Sequence, residues 1–230
     1  MSTVNLKIDG KDCKAESGQT IVQAAEANGI YIPVLCHHKN LKPVAACRIC
    51  TVKVSGRNMA ACHTPVSEGM IVDNIVPELE NMRKALVEML FVEGNHYCPS
   101  CEKSGNCELQ ALGYKYQVFV PRFPYMWPKR DVNAASPKIF HDTNRCIKCM
   151  RCARGVASKD GKHIFNLVNR GAKTVIKIDV ELASQMSDEQ AEKAMALCPV
   201  GAIIRKEKGF MVPIGKRRFD GHPIGSDVGK

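Results

Sequence analysis

Apolar and polar positions alternate at the start of the chain, where Val4, Leu6 and Ile8 are separated by polar residues before the pattern breaks at "DGKD". This predicts a strand that enters a hairpin through an Asp-Gly turn. The period then changes. "TIVQAAEANG" opens with Thr20 and Gln23 in capping-box spacing and closes at Gly29, which predicts a short helix. "TVKV" at 51–54 is rich in β-branched residues, and the "SGRN" after it reads as a second hairpin turn. "PELENMRKALVEMLFVEG" predicts a longer helix, with Pro77 in its first position, acids in its first turn and Gly94 at its end. Its expected core stripe is Leu79, Met82, Leu86, Met89 and Leu90. Segment 113–138 is punctuated by prolines and should be extended and irregular. "SDEQAEKAMALCPVGAI" supplies a second capping box at Ser187 and Gln190, a helix ending near Leu197 and a break at Pro199. The basic, glycine-rich end, "GKRRFDGHPIGSDVGK", reads as a docking tail.

With 230 residues, 45% hydrophobic and 24% charged, the chain is globular, and length alone allows one or two domains. The 12 cysteines change that picture. They fall in short segments that cannot each bury a large core, as expected of small lobes stapled by metal or disulfide. No basic-then-apolar leader opens the sequence and no run of about 18 apolar residues occurs, so the chain is expected to be cytoplasmic and without a membrane span. In a reducing compartment, cysteines at two-residue spacing read as metal ligands.

Three sets emerge. Cys36, Cys47, Cys50 and Cys62 are spaced C-x10-C-x2-C-x11-C, with Ala45, Ala46 and Ala61 leaving room for backbone N–H groups near the sulfurs. That arrangement lets a loop wrap a flat 2Fe–2S rhomb, although its first interval is longer than in plant-type ferredoxins. Cys98, Cys101 and Cys107 are spaced C-x2-C-x5-C, which leaves one corner of a 4Fe–4S cube without a ligand. Cys146, Cys149 and Cys152 recur at two-residue intervals, and Cys198 follows in "LCPVGAI". In two-cluster ferredoxins the Cys-Pro cysteine serves the other cluster. No second C-x2-C-x2-C run occurs here, so Cys198 returns to the first three and completes a cube. Structural zinc remains the alternative for the four-cysteine sets, though it usually takes two C-x2-C knuckles. Cys13 is left over and reads as a core or turn cysteine.

The three sets, with "EGNHYCPSCEKSGNCELQ" and "NRCIKCMRC", resemble the N-terminal part of the complex I large iron-sulfur subunit and of iron-only hydrogenases. In length and pattern the chain is most similar to the small diaphorase subunits of NAD-reducing, bidirectional nickel–iron hydrogenases. The resemblance implies an α+β fold in five parts: a β-grasp 2Fe–2S ferredoxin domain over 1–77, a small helical one-His, three-Cys 4Fe–4S domain over 78–117, a proline-rich connector over 118–137, a ferredoxin-like single-4Fe–4S domain over 138–210 and a basic tail over 211–230. It implies one 2Fe–2S and two 4Fe–4S clusters on the cysteines above. Such relatives fill the open corner with a histidine four residues before the first cysteine, a position that here is Gly94. His96 is the nearest candidate, and another ligand, with His37, His38 and His63 as remote possibilities, stays open.

The resemblance also implies a role. The chain would be a relay subunit of a hydrogen:NAD oxidoreductase with no catalytic residues of its own, partnered by a flavin- and NAD-binding diaphorase subunit and by the small and large hydrogenase subunits. An equivalent relay in complex I, a formate dehydrogenase or a multi-subunit iron-only hydrogenase is the alternative in the same class. A zinc-dependent scaffold or nucleic-acid binder is the alternative in another, favoured by a formal charge of +10 and by Phe119, Arg122, Phe123, Tyr125, Trp127 and Lys129, which could form a stacking strip or a proline-rich loop packed on a neighbouring lobe. Three anionic clusters would lower the charge to roughly +5. Arg145, Lys148 and Arg151 beside the thiols could then balance cluster charge, or form an ordinary solvated face. No G-x-G-x-x-G occurs, and "GVASKDGKH" lacks phosphate-loop spacing and has His163 where a hydroxyl should bind magnesium, so no nucleotide site is expected.

Overall fold

The computed structural model describes residues 2–229, and it is a mixed α+β fold of three small lobes. In the first, β1 (Thr3–Ile8) and β2 (Lys11–Glu16) form the expected hairpin, with Ile8 opposite Lys11 and both Asp9 and Gly10 left-handed at the two-residue turn. Leu6, Ile8, Cys13 and Ala15 point inward beneath α1 (Ile21–Ala27), whose capping box is formed by Thr20 and Gln23 as predicted. Two more strands, β3 (Thr51–Val54) and β4 (Arg57–Ala60), pair across Ser55–Gly56, again with positive φ at both turn residues. The last strand of the lobe, β5 (Met70–Asp73), lies parallel to β1 and antiparallel to β3, so the sheet order is β2-β1-β5-β3-β4. This is a β-grasp sheet with a helix on one face.

Helix α2 (Pro77–Glu93) leaves that lobe and differs from expectation on its buried face. Its buried residues are Leu79, Arg83, Val87, Glu88 and Val92, whereas Met89 is 41% exposed. The apolar stripe is rotated because the helix takes two charges inward. Arg83, 1% exposed, donates to the carbonyls of Ile49 (3.2 Å), Thr51 (2.8 Å) and Asn74 (3.0 Å), the Asn74 side chain (2.8 Å) and Glu80 (2.7 Å). It thereby ties α2 to the loop that carries Cys47 and Cys50. Glu88, fully buried, accepts from Arg122 at 2.8 Å and anchors the proline-rich segment beyond.

Helix α3 (Glu108–Lys115) packs on α2, and residues 118–128 then run extended over the surface with Phe119, Val120 and Trp127 exposed. The third lobe contains the sheet β10-β7-β6, made from β6 (Val132–Asn133), β7 (Ile139–Asp142) and β10 (Ile203–Arg205). Around it lie α4 (Arg151–Gly155), the hairpin of β8 (Phe165–Val168) and β9 (Val175–Ile178), α5 (Val180–Ser184) and α6 (Asp188–Leu197). The Ser187–Gln190 capping box of α6 forms as predicted, whereas the β8–β9 hairpin was not anticipated. One apolar core runs through the second and third lobes, taking in Val87, Leu109, Leu112, Ile139, Phe165 and Leu197 together with Leu35 and Ile49 from the first. Each fully buried aliphatic side chain there contributes about 1.5–3 kcal/mol.

Residues 211–229 form no helix or strand, but they do not hang free. Arg218 N–H donates to the Asn106 side chain and Phe219 N–H to the Gly105 carbonyl, both at 2.8 Å. Ile224 packs on the shared core, and Gly225 and Gly229 lie against Tyr31 and Gly29 of the first lobe.

Candidate metal centres

The first cysteine set is gathered by the long loop between α1 and β3 and by the turn after β4. Cys36, Cys50 and Cys62 are buried and Cys47 is partly so. The N–H of Cys36 points at Cys47 Sγ (3.4 Å) and the N–H of Cys47 at Cys36 Sγ (3.5 Å). Left-handed turns at Ala45 and Arg48 fold the loop tightly enough for this. Hydrogen bonds from the thiols of Cys47 and Cys62 pull the Cys36 thiol down to about 2, and the same contacts push those two partners up. Backbone N–H groups at Ala46 and Cys47 also favour the Cys36 thiolate, in line with the small residues expected there. Four soft thiols within reach of one another, ringed by N–H donors, fit an anionic 2Fe–2S core.

The second set lines a single cavity. Cys98, Cys101 and Cys107 face it together with His96, Phe91, Gln110 and Arg145. Cys98 begins a one-turn helix that ends on Cys101, and Cys107 caps α3, its sulfur accepting the Gln110 N–H at 3.4 Å. His96 is placed by three features. Its Nε2 is buried and has no hydrogen-bond partner among the described residues, the backbone of Leu90 engages its ring, and Phe91 packs edge-on at 5.5 Å. Burial pushes the imidazole down to about 4, so at neutral pH it is uncharged with a free ring lone pair. A neutral, oriented imidazole with an orphaned nitrogen fits the missing fourth donor. Gly94 makes the room: a Cβ there would collide with His96 Nε2 and lie 2.7 Å from Cδ2. None of His37, His38 or His63 lines this cavity.

The third set, Cys146, Cys149, Cys152 and Cys198, also lines one cavity, with His141, Ile176, Val200 and Ile203. Left-handed residues at Lys148 and Met150 turn the C-x2-C-x2-C loop, and the Lys148 N–H reaches Cys146 Sγ at 3.4 Å. Cys152 rides on α4 and Cys198 ends α6, so two helices bring together cysteines 46 positions apart in sequence. Burial pushes the thiol of Cys146 up to about 11 and raises Cys149 and Cys152 as well. Iron binding must therefore displace protons, and it strengthens as pH rises. Cys13 is buried among the strands of the first lobe and belongs to no set.

The arginines between the sets were not identifiable as buried from sequence. Arg151 is 2% exposed and grips Glu108, next to Cys107, with two hydrogen bonds of 2.9 and 2.8 Å. Arg154 donates to the carbonyls of Cys36 (2.7 Å), Cys149 (3.4 Å) and Lys42. Arg145 reaches Cys101 Sγ at 3.6 Å and pairs with Glu102 (2.8 Å) and Asp142 (3.1 Å). Lys148 pairs with Glu93. These side chains are not a solvated face, because they fasten the third set to each of the other two. Gly201 permits a close approach to the second set, since a Cβ there would lie 2.6 Å from Cys101 Sγ. The last set in sequence is thus the one that adjoins both others.

Comparison with known proteins adds a family. Residues 1–75 match the 2Fe-2S iron-sulfur cluster binding domain, 83–122 the iron-sulfur binding region of NADH-ubiquinone oxidoreductase G, and 136–204 the ferredoxin-like domain of NADH-quinone oxidoreductase subunit 3. The gamma subunit of the NAD-reducing hydrogenase HoxS from Cupriavidus necator is 49% identical over 219 residues, which are 95% of this chain and 94% of that one. The chain belongs to this hydrogenase gamma-subunit family. A family likeness of the whole fold appears in the crystal structure of an NAD+-reducing nickel–iron hydrogenase in the H2-reduced state, with a TM-score of 0.90 and 38% identity over 97% of this chain and 96% of that one. More distant relatives are longer. The alpha subunit of the NADPH-Fe(3+) oxidoreductase of Geobacter sulfurreducens is 35% identical over 90% of this chain but only 24% of its own length. The 78 kDa NADH-ubiquinone oxidoreductase subunit of Candida albicans is 32% identical over 91% of this chain and 29% of its own. Members of this family therefore share with complex I a module that stands here as a chain of gamma-subunit length, with a 2Fe–2S domain followed by further iron-sulfur domains.

Proposed function

We propose that the chain relays single electrons between a flavin- and NAD-binding diaphorase subunit and the small and large subunits of a nickel–iron hydrogenase, in the cytoplasm. It would do so with a 2Fe–2S cluster on Cys36, Cys47, Cys50 and Cys62 and two 4Fe–4S clusters, one on His96, Cys98, Cys101 and Cys107 and one on Cys146, Cys149, Cys152 and Cys198. The observation that carries this reading is the contiguity of three cysteine cradles in a chain 49% identical, over nearly its whole length, to the gamma subunit of an NAD-reducing hydrogenase. When bound, such clusters accept and release one electron at a time, with potentials set by charge, hydrogen bonds to sulfur and exposure.

The chain's own residues supply the rest. Thiolates and one neutral imidazole hold the iron, backbone N–H groups favour the anionic sulfurs, and Arg145, Arg151 and Arg154 keep the cradles in register. Among the described residues no helix is long and apolar enough to cross a membrane. The aromatic strip gives the nucleic-acid reading little support, because Arg122 spends its charge on buried Glu88.

Anaerobic purification tests the assignment. The protein should be brown and carry about ten irons per chain, the sum of one 2Fe–2S and two 4Fe–4S centres, with negligible zinc. The isolated chain should neither oxidise NADH nor evolve hydrogen, yet be required for electrons to pass between the partners. Stoichiometric zinc with little iron, or NADH oxidation by the flavin-free chain, would overturn it.

A further inference from the structure

Arg151 and Glu108 form a charge pair sunk between two cradles. Arg151 opens α4 one residue before Cys152, and Glu108 opens α3 one residue after Cys107. Their side chains are 2% and 18% exposed and meet through two hydrogen bonds of 2.9 and 2.8 Å. Burying such a pair is a poor route to stability, since well-packed apolar residues of similar volume do as well or better. Arg151 therefore invites another explanation. Its Nε–H is buried and has no acceptor among the described residues, which leaves that donor available to an anionic core. Its charge acts on Cys149 and Cys198 of the third set and on His37 and His38 beside Cys36. Glu108 is the one carboxylate it grips, and that carboxylate follows directly on a sulfur of the middle set.

We propose that the Arg151–Glu108 pair sets the electron affinity of the third centre, with Arg151 favouring its reduced form and Glu108 tempering that pull. The inference rests on the cluster assignment above. Reduction adds one negative charge to the centre. A buried cation beside it stabilises that charge, and a carboxylate behind the cation partly cancels the effect. Both are positioning residues, touching the centre through its loops and through charge.

Redox titration of the anaerobically purified complex, followed by the electron paramagnetic resonance signal of each centre, separates this from a structural role. Arg151→Gln should make the third centre harder to reduce, lowering its reduction equilibrium constant on the order of tenfold. Glu108→Gln should move it the opposite way by a similar factor, because Arg151 is then uncompensated. Arg151→Lys keeps the charge and should stay near the wild-type value, and the double Gln variant should fall between the two single variants. A structural lesion has no reason to produce shifts of opposite sign. If all signals persist and both single variants shift in the same direction, or neither shifts, the proposal is wrong. If Arg151→Gln cannot hold its third centre, Glu108→Gln decides alone: easier reduction supports the proposal, and unchanged or harder reduction overturns it. Wild-type protein without the three signals would instead show that the cluster assignment has failed, and the proposal falls with it.

Discussion

Gly94 owes its place to the imidazole two residues later. Its φ of −110° is open to any residue, so the backbone does not demand glycine; the space above it does, because His96 folds back into that space. Gly94→Ala is therefore expected to displace His96 and disturb one 4Fe–4S signal while sparing the other two centres. His96→Ala should perturb the same signal or yield a three-iron form. Spectra unchanged in both variants would assign the fourth ligand elsewhere. Two histidines, His141 buried and His96 partly buried, also predict a pH response. Burial holds His96 and His141 down to about 4, against an ordinary value of 6.5. Between those limits the unfolded chain binds protons that the folded chain refuses. Their contribution is whole above pH 6.5 and is lost as pH falls toward 4, at about 1.4 kcal/mol per pH unit for each histidine. Iron on His96 acts in the same direction, since it too requires the neutral ring. Thermal midpoints measured from pH 7 to 5 should fall steadily; a flat profile would contradict the burial of these rings.

At the scale of elements, the ends of helices and hairpins were legible and the buried charges were not. Thr20 with Gln23 and Ser187 with Gln190 mark their helices because capping is a local hydrogen-bond exchange, complete within four residues. The Asp9–Gly10 and Ser55–Gly56 turns were readable for the same reason. The cysteine spacings were readable because a cluster fixes its ligands within short loops. What escaped depends on residues far apart in sequence. Arg83 reads as a surface residue until Ile49, Thr51 and Asn74 present their carbonyls to it, and the α2 stripe was misplaced on that account. The β8–β9 hairpin lies in the interval between Cys152 and Cys198, where no ligand pattern constrains the chain. Arg83→Met should cost about 3–5 kcal/mol, since it leaves several buried carbonyls unpaired. Chemical denaturation would measure that loss, and the 2Fe–2S absorption should bleach at lower denaturant than the other bands. A variant as stable as the wild type would remove Arg83 from its role as the tie between α2 and the first lobe.

Across the whole molecule, the basic tail, which reads from sequence as a docking tail, also packs on its own chain. It runs from the third lobe over Gly105 and Asn106 of the second and ends against Tyr31 and Gly29 of the first, so it straps the lobes of its own chain. Deleting residues 211–230 should lower the thermal midpoint and speed the loss of iron from the middle centre to a chelator. Unchanged chelation kinetics would show that the strap guards nothing there. The position of the third cradle, adjoining both others, has a further consequence for how the molecule is made. Lobes fold largely in the order in which they leave the ribosome. The first two sets are therefore complete early, whereas the third, which adjoins both, closes only when Cys198 emerges, 46 positions after Cys152. A chain that stops before Cys198 is therefore expected to bind iron at the first two sets and to lack the third, and with it the cradle that touches both.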